Sequence, residues 1–166
     1  MAQIDFKQAT VKIKDGNTPT PNEIEIKVGE GNLTYTERRN IQYTLDRGVL
    51  DEVREGDQVP VEVRFDAIWE YVSGSTVSGS TPTPEDALKQ RGEAAAWTSS
   101  DADPCRPYSV DIEIEYIPDC TPADKEVITL PDFRYEQIDH DLSAGTLAFS
   151  GKCNVTEATA VRTALS

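Results

Sequence analysis

The chain has 166 residues, 37% of them apolar, enough for one hydrophobic core and too few for two comfortable ones. A formal charge of −14 argues against affinity for nucleic acid or anionic membrane, since both need basic patches. The opening MAQIDFKQAT has no basic start followed by an apolar run, and no stretch approaches the ~18 apolar residues of a membrane span. We therefore expect a soluble protein made and kept in a cytoplasm-like compartment.

From the N-terminus, Thr10–Lys14 alternates Val11 and Ile13 with Lys12 and Lys14. A turn at Asp15-Gly16 with Pro19 and Pro21 follows, and Glu23–Val28 repeats the alternation with Ile24, Ile26 and Val28 inward. Successive side chains of a strand point to opposite faces, so the two segments predict a hairpin. Asn32–Thr36 reads as the next strand. Val59–Val72 is a longer one, with Val61, Val63, Phe65, Ala67, Trp69 and Tyr71 on one parity and Glu62, Arg64, Asp66 and Glu70 on the other.

Between those two strands lies Glu37–Asp57, with little convincing periodicity. Loops of about twenty residues are uncommon in compact domains unless they are functional or disordered. Ile41, Tyr43, Leu45, Val49, Leu50 and Val53 are too many apolar groups for a solvated linker. The segment reads as an extended arm that must bury those groups against something. Four of the sixteen basic residues, Arg38, Arg39, Arg47 and Arg54, lie on it.

Ser73–Thr83 is a low-complexity, flexible loop. Thr83 can then cap a helix, with Pro84 as its first residue, Glu85 and Asp86 in the first turn, and an end at Gly92 or beyond Ala96. After a loop over Thr98–Pro107, Tyr108–Pro118 is the clearest strand, with Val110, Ile112, Ile114 and Tyr116 opposite Asp111, Glu113 and Glu115. Glu126–Leu130 and Asp132–Ile138 read as two further strands split by Pro131. Ala144–Val155 closes the sheet with Leu147 and Phe149 inward, and Thr156–Ser166 is a short helical or extended tail. The pattern is mainly β: an antiparallel β-sandwich or barrel, one flanking α-helix and a long arm.

Little in the sequence carries chemistry. Asp139-His140-Asp141 reads as a surface turn, because neighbours on an extended segment point to opposite sides. No phosphate-binding loop and no nucleophile elbow occur, so no catalytic, cofactor or metal site is expected. The Asp111, Glu113, Glu115 row shares one solvated environment with nothing to separate the three groups. It is either an ordinary wet face or a carboxylate wall lining a water-filled space. Cys105, Cys120 and Cys153 are odd in number and lack metal spacing; free thiols and a Cys105–Cys120 bridge both remain open.

The early hairpin, the arm, the strand VPVEVRFDAIWEYV, one helix and the closing SAGTLAFSG resemble, in this order, a tail tube protein of tailed bacteriophages, related to type VI secretion tube proteins. The resemblance spans nearly the whole chain and is strongest over Gly29–Val72 and Ala144–Gly151. It implies a single β domain over 1–166 and a structural virion protein. Six copies form a ring, and rings stack head to tail into a hollow tube that conducts DNA. The arm, residues 37–57, would reach the adjacent ring through Arg38, Arg39, Ile41, Tyr43, Leu45, Arg47, Val49 and Leu50. Asp111, Glu113 and Glu115 would face the lumen. The implied partners are other copies of the chain, tail terminator, baseplate or tape measure proteins, and a sheath where the tail contracts. DNA would pass without being bound. Location would be the virion tail, after assembly in the host cytoplasm. The alternative is a soluble β-sandwich binding module, such as a capsid decoration protein, or a tube subunit of the type VI kind; an enzyme is not expected.

Overall fold

The computed structural model describes residues 9–26, 33–68, 82–117 and 124–164. Alternation of apolar and polar residues produces most of the strands: β1 (Ala9–Lys14), β2 (Glu23–Ile26), β3 (Leu33–Thr36), β6 (Val61–Ile68), β7 (Val110–Tyr116) and β9 (Thr146–Cys153). Their inward residues, among them Ile13, Ile24, Val63, Phe65, Ile112 and Phe149, are buried. Trp69, Tyr71 and Cys120, together with the segment 73–81 of the loop expected at Ser73–Thr83, lie outside the described residues.

All pairings are antiparallel. The main sheet runs β2-β1-β7-β8-β9-β6-β3, and β10 (Thr159–Ala164) also pairs with β8. β8 (Asp124–Asp141) is the hinge of the architecture. β7 lies along one edge of it, while β10 and then β9 occupy the other edge in succession. The two halves close face to face on one core, where the Phe65 ring stacks 4.9 Å from Phe149 and sits 6.0 Å from Phe133. The fold is a β-sandwich.

The predicted break at Pro131 does not occur. Asp132 takes a left-handed backbone (φ 55°), and the β7–β8 register shifts opposite it, so the strand bends through a bulge and continues. A second bulge lies between Tyr135 and Gln137, opposite Gly151. Gly151 is required there, because a methyl group on it would overlap the Arg134 carbonyl. Asp139-His140-Asp141 is likewise not a turn but the end of β8; the turn lies after it, at residues 142–145. The C-terminal tail is the strand β10.

The helix starts where the sequence places it. In α1 (Pro84–Lys89), Thr83 Oγ1 accepts the Asp86 N–H at 3.2 Å, and Pro84 occupies the first turn, where its missing N–H costs nothing. It ends earlier than expected, at Gln90 in a left-handed conformation (φ 54°), before a single 3-10 turn at Gly92–Ala94. Ala87 and Leu88, followed by Ala94 and Trp97, join the core.

Candidate functional site

The arm is itself a β-hairpin. Among the described residues β4 (Ile41–Asp46) and β5 (Val49–Glu55) pair only with each other, as a two-stranded sheet separate from the main one. Its apolar residues are open to solvent: Tyr43 is 61% exposed, Leu45 59%, Leu50 65% and Val53 58%. An isolated two-stranded hairpin is marginal in water, and bare apolar groups of this kind are a surface suited to contact with another.

Its register explains which residues act together. Arg47 and Gly48 form the turn, both with positive φ (52° and 83°), the conformation of a tight two-residue hairpin turn. That turn sets Leu45 opposite Leu50, whereas nearer the base Tyr43 faces Val53 and Thr44 faces Glu52. The extra residue, Asp51, is absorbed by a bulge. Residues directly opposite each other share a face, so Ile41, Tyr43, Leu45, Leu50 and Val53 form one apolar stripe. Val49 faces Asp46 on the other side. Of the expected docking residues, Val49 thus lies off the apolar stripe, and Val53, not among them, lies on it. The missing signal was the bulge, which changes the parity of β5 between residues 50 and 53.

The base is pinned where β3 ends and β6 begins. The Gly56 N–H donates to the Asn40 carbonyl at 2.6 Å, and the Ala158 N–H donates to Glu37 Oε1 at 3.0 Å. The arginines do not make the arm basic. Glu37, Asp46, Asp51, Glu52, Glu55 and Asp57 outnumber them. Arg38 lies 3.6 Å from Glu62, Arg39 3.6 Å from Glu55 and Arg47 4.0 Å from Asp46. Such exposed pairs are worth about 0–1 kcal/mol and exchange readily for an outside partner.

The acidic row on β7 is not a uniform wall. Register places Lys12 beside Glu113 and Lys14 beside Asp111. Lys14 Nζ meets Glu113 at 2.7 Å, and Lys125 meets Glu115 at 3.6 Å. Partial burial lowers the Lys14 ammonium's affinity for its proton, but the bond and charge of Glu113 outweigh this and hold it above the usual lysine range. Asp111 behaves differently again. Burial raises its carboxyl, although one oxygen accepts the Asp132 N–H at 3.1 Å inside the bulge. The expected shared solvated environment is thus three environments, because the neighbouring strands bring lysines that are remote in sequence.

Two other clusters are structural. At α1, Glu85 Oε1 lies 2.6 Å from Lys89 Nζ, 3.3 Å from Arg91 and 3.2 Å from His140 Nε2, tying the helix to the end of β8. Burial alone would raise the Glu85 carboxyl; hydrogen bonds from Lys89 and His140 and the charges of Lys89 and Arg91 lower it instead. In the 98–109 loop, Asp101 takes the Asp103 N–H at 3.0 Å, Arg134 at 2.9 Å and Arg106 at 3.2 Å, and its carboxyl falls to about 2. A depressed acid stabilises the fold above its unfolded value, near 3.8, and loses that effect as pH falls through 2. Asp101→Asn should therefore flatten the acid dependence of unfolding between about pH 4 and pH 2. Thermal scans across that range measure it; an unchanged slope would remove Asp101 from the account.

Tyr108 carries a buried hydroxyl with no hydrogen-bond partner among the described residues, and burial raises its pKa. Removing the hydroxyl removes a desolvation cost, so Tyr108→Phe should leave stability unchanged or raise it by up to ~1–2 kcal/mol. Chemical denaturation decides; a clear loss would reveal a partner for the hydroxyl. Cys105 is an exposed free thiol, whereas Cys153 is fully buried and raised to about 12 by that burial, so it stays protonated and unreactive at neutral pH. Among the described residues no group of three or more His, Cys, Asp or Glu side chains could hold a metal ion, and no helix is long and apolar enough to cross a membrane.

No protein-family model matches the chain, and no curated protein matches it by sequence. Among solved structures, a chain in the six-fold symmetrised baseplate of the anti-feeding prophage is similar to it, at 13% identity and a TM-score of 0.42 over 93% of this chain and 92% of that one.

Proposed function

We propose that the chain is a structural subunit that joins copies of itself head to tail into a hollow tube of the phage-tail kind, each hairpin docking on the next ring. The observation that carries the reading is the β4–β5 hairpin, with five apolar side chains gathered on one face and no strand partner for it among the described residues. The β-sandwich and the sequence resemblance over Gly29–Val72 and Ala144–Gly151 support it. Head-to-tail contacts are heterologous and need two different surfaces on each subunit, so assembly continues until something caps it. Terminator, baseplate or tape measure proteins of a phage tail would supply such caps.

In this reading the Asp111, Glu113, Glu115 face lines the channel. Glu23 and Glu25 join it, and Lys12, Lys14 and Lys125 offset it, leaving five carboxylates against three lysines. DNA carries a phosphate charge every ~1.7 Å of its axis, so a net acidic lining lets it pass without holding it. No cofactor or turnover is involved.

Negative-stain microscopy with size-exclusion chromatography of the purified chain tests the proposal. Rings or hollow rods are expected. A single discrete species at every concentration would favour the rival reading, a binding module or capsid decoration protein. Copies carrying −14 each repel one another, so added salt should hasten polymerisation by screening them, which light scattering can follow.

A further inference from the structure

A heterologous contact has two halves, and the structure points to the second. The hairpin leaves the sheet where β6 begins, beside Val61 and Cys153. At the other end of the same strands Ile68 pairs with Thr146, and Thr146 with Asp141, so the β8–β9 turn lies on the order of 25 Å away along β6. That turn presents Leu142, which at 82% is the most exposed large hydrophobic among the described residues. The turn is held in shape: Asp141 Oδ1 accepts the Ser143 and Ala144 N–H groups at 3.0 and 3.1 Å, and the Asp141 carbonyl accepts the Gly145 N–H at 2.9 Å. A leucine on a fixed turn loses little conformational freedom when it is covered.

Charge suits the pairing locally. From Gln137 to Gly151 there is no lysine or arginine, and Asp139 and Asp141 are exposed. At the hairpin tip, Arg47 is 95% exposed and only loosely paired with Asp46. It also occupies a positive-φ turn position that Asn or Gly would fill at less strain.

We propose that the β8–β9 turn, Leu142 with Asp139 and Asp141, is the seat on which the hairpin of a second copy of this chain docks, its apolar stripe against Leu142 and Arg47 towards the two aspartates. The assignment rests on the head-to-tail reading above, and complementation separates the two. A chain with Glu37–Asp57 replaced by a Gly-Ser turn keeps the seat and lacks the arm; Leu142→Asp keeps the arm and lacks the seat. Neither should polymerise alone. Mixed in equal amounts they should form one intact junction, seen as a discrete doubled particle by sizing and microscopy. In a second arm, Arg47→Asp and Asp139→Arg should each slow wild-type-like polymerisation roughly tenfold, and the double variant should recover most of that rate.

Leu142→Asp chains that polymerise normally, or that fail to complement the arm-less chain, would overturn the seat while leaving the head-to-tail reading intact. Wild-type chains that never associate would overturn both. Circular dichroism of each variant confirms that the exposed substitutions leave the fold in place.

Discussion

Replacing Glu37–Asp57 with a short Gly-Ser turn should give a subunit that folds and cannot stack into tubes at any concentration. The expectation follows from where the hairpin's apolar groups are. None belongs to the buried core, and among the described residues the hairpin strands pair only with each other. The sandwich therefore loses little when they go, apart from anchors such as the bond from Ala158 to Glu37. Assembly loses nearly everything. Covering an aliphatic or aromatic side chain is worth about 1.5–3 kcal/mol, so the stripe supplies on the order of 10 kcal/mol. Association costs some 4–15 kcal/mol in lost freedom, which leaves at most about 6 kcal/mol, most of which the loss of half the stripe would remove. Tyr43→Asp with Leu50→Asp should accordingly have the same effect as excision, while Val49→Asp, on the opposite face, should be tolerated. The comparison is tube length by microscopy beside a thermal melt of the free subunit. Normal tubes from the excised chain would end the docking account, and a chain that cannot fold without the arm would assign the hairpin to its own core.

The contrast between Val49 and Leu50 shows where sequence reasoning stops. Strands that keep strict alternation, such as Val61–Ile68 and Val110–Tyr116, show both their location and their buried face, because period 2 survives unbroken. The hairpin keeps that period along Ile41, Tyr43 and Leu45, then loses it at a bulge and turns on Arg-Gly rather than the usual Asn-Gly. It therefore reads as an aperiodic arm. Its length and apolar content were visible; its single-sided stripe was not. Pro131 misled for a related reason, since a bulge with Asp132 at positive φ lets β8 bend and continue where a regular strand would stop. The acidic row misled because register is a long-range property: nothing in DIEIEY indicates that Lys12 and Lys14 will lie alongside. Nothing in the sequence singles out Leu142, and its position at the end of the sheet away from the hairpin emerges only once β6, β8 and β9 are paired.

Phe149→Ala should produce the opposite phenotype, a subunit whose hairpin is intact and whose sandwich is failing. Phe149 is 1% exposed on β9, stacked on Phe65 of β6, which in turn approaches Phe133 at the bend of β8. Phe65 and Phe149 are cross-strand partners held in register by continuous pairing from Val61↔Cys153 to Ile68↔Thr146, and the Phe65–Phe133 contact carries the cluster on to the bend of β8. Paired strands cannot readily collapse into the space a lost ring leaves, so the full cavity cost applies, about 3–5 kcal/mol. For a domain of this size each kcal/mol lowers the melting temperature by roughly 2–4 °C, predicting a fall of about 6–20 °C. Polymerisation would stabilise the folded subunit by mass action and mask the loss, so the measurement belongs in the arm-less chain, which should not stack into tubes at any concentration. Urea titration there should show a lower midpoint with an unchanged slope. A loss under about 1 kcal/mol would mean that the two halves of the sheet close without the aromatic contact, and the packing at the bend of β8 would need another explanation.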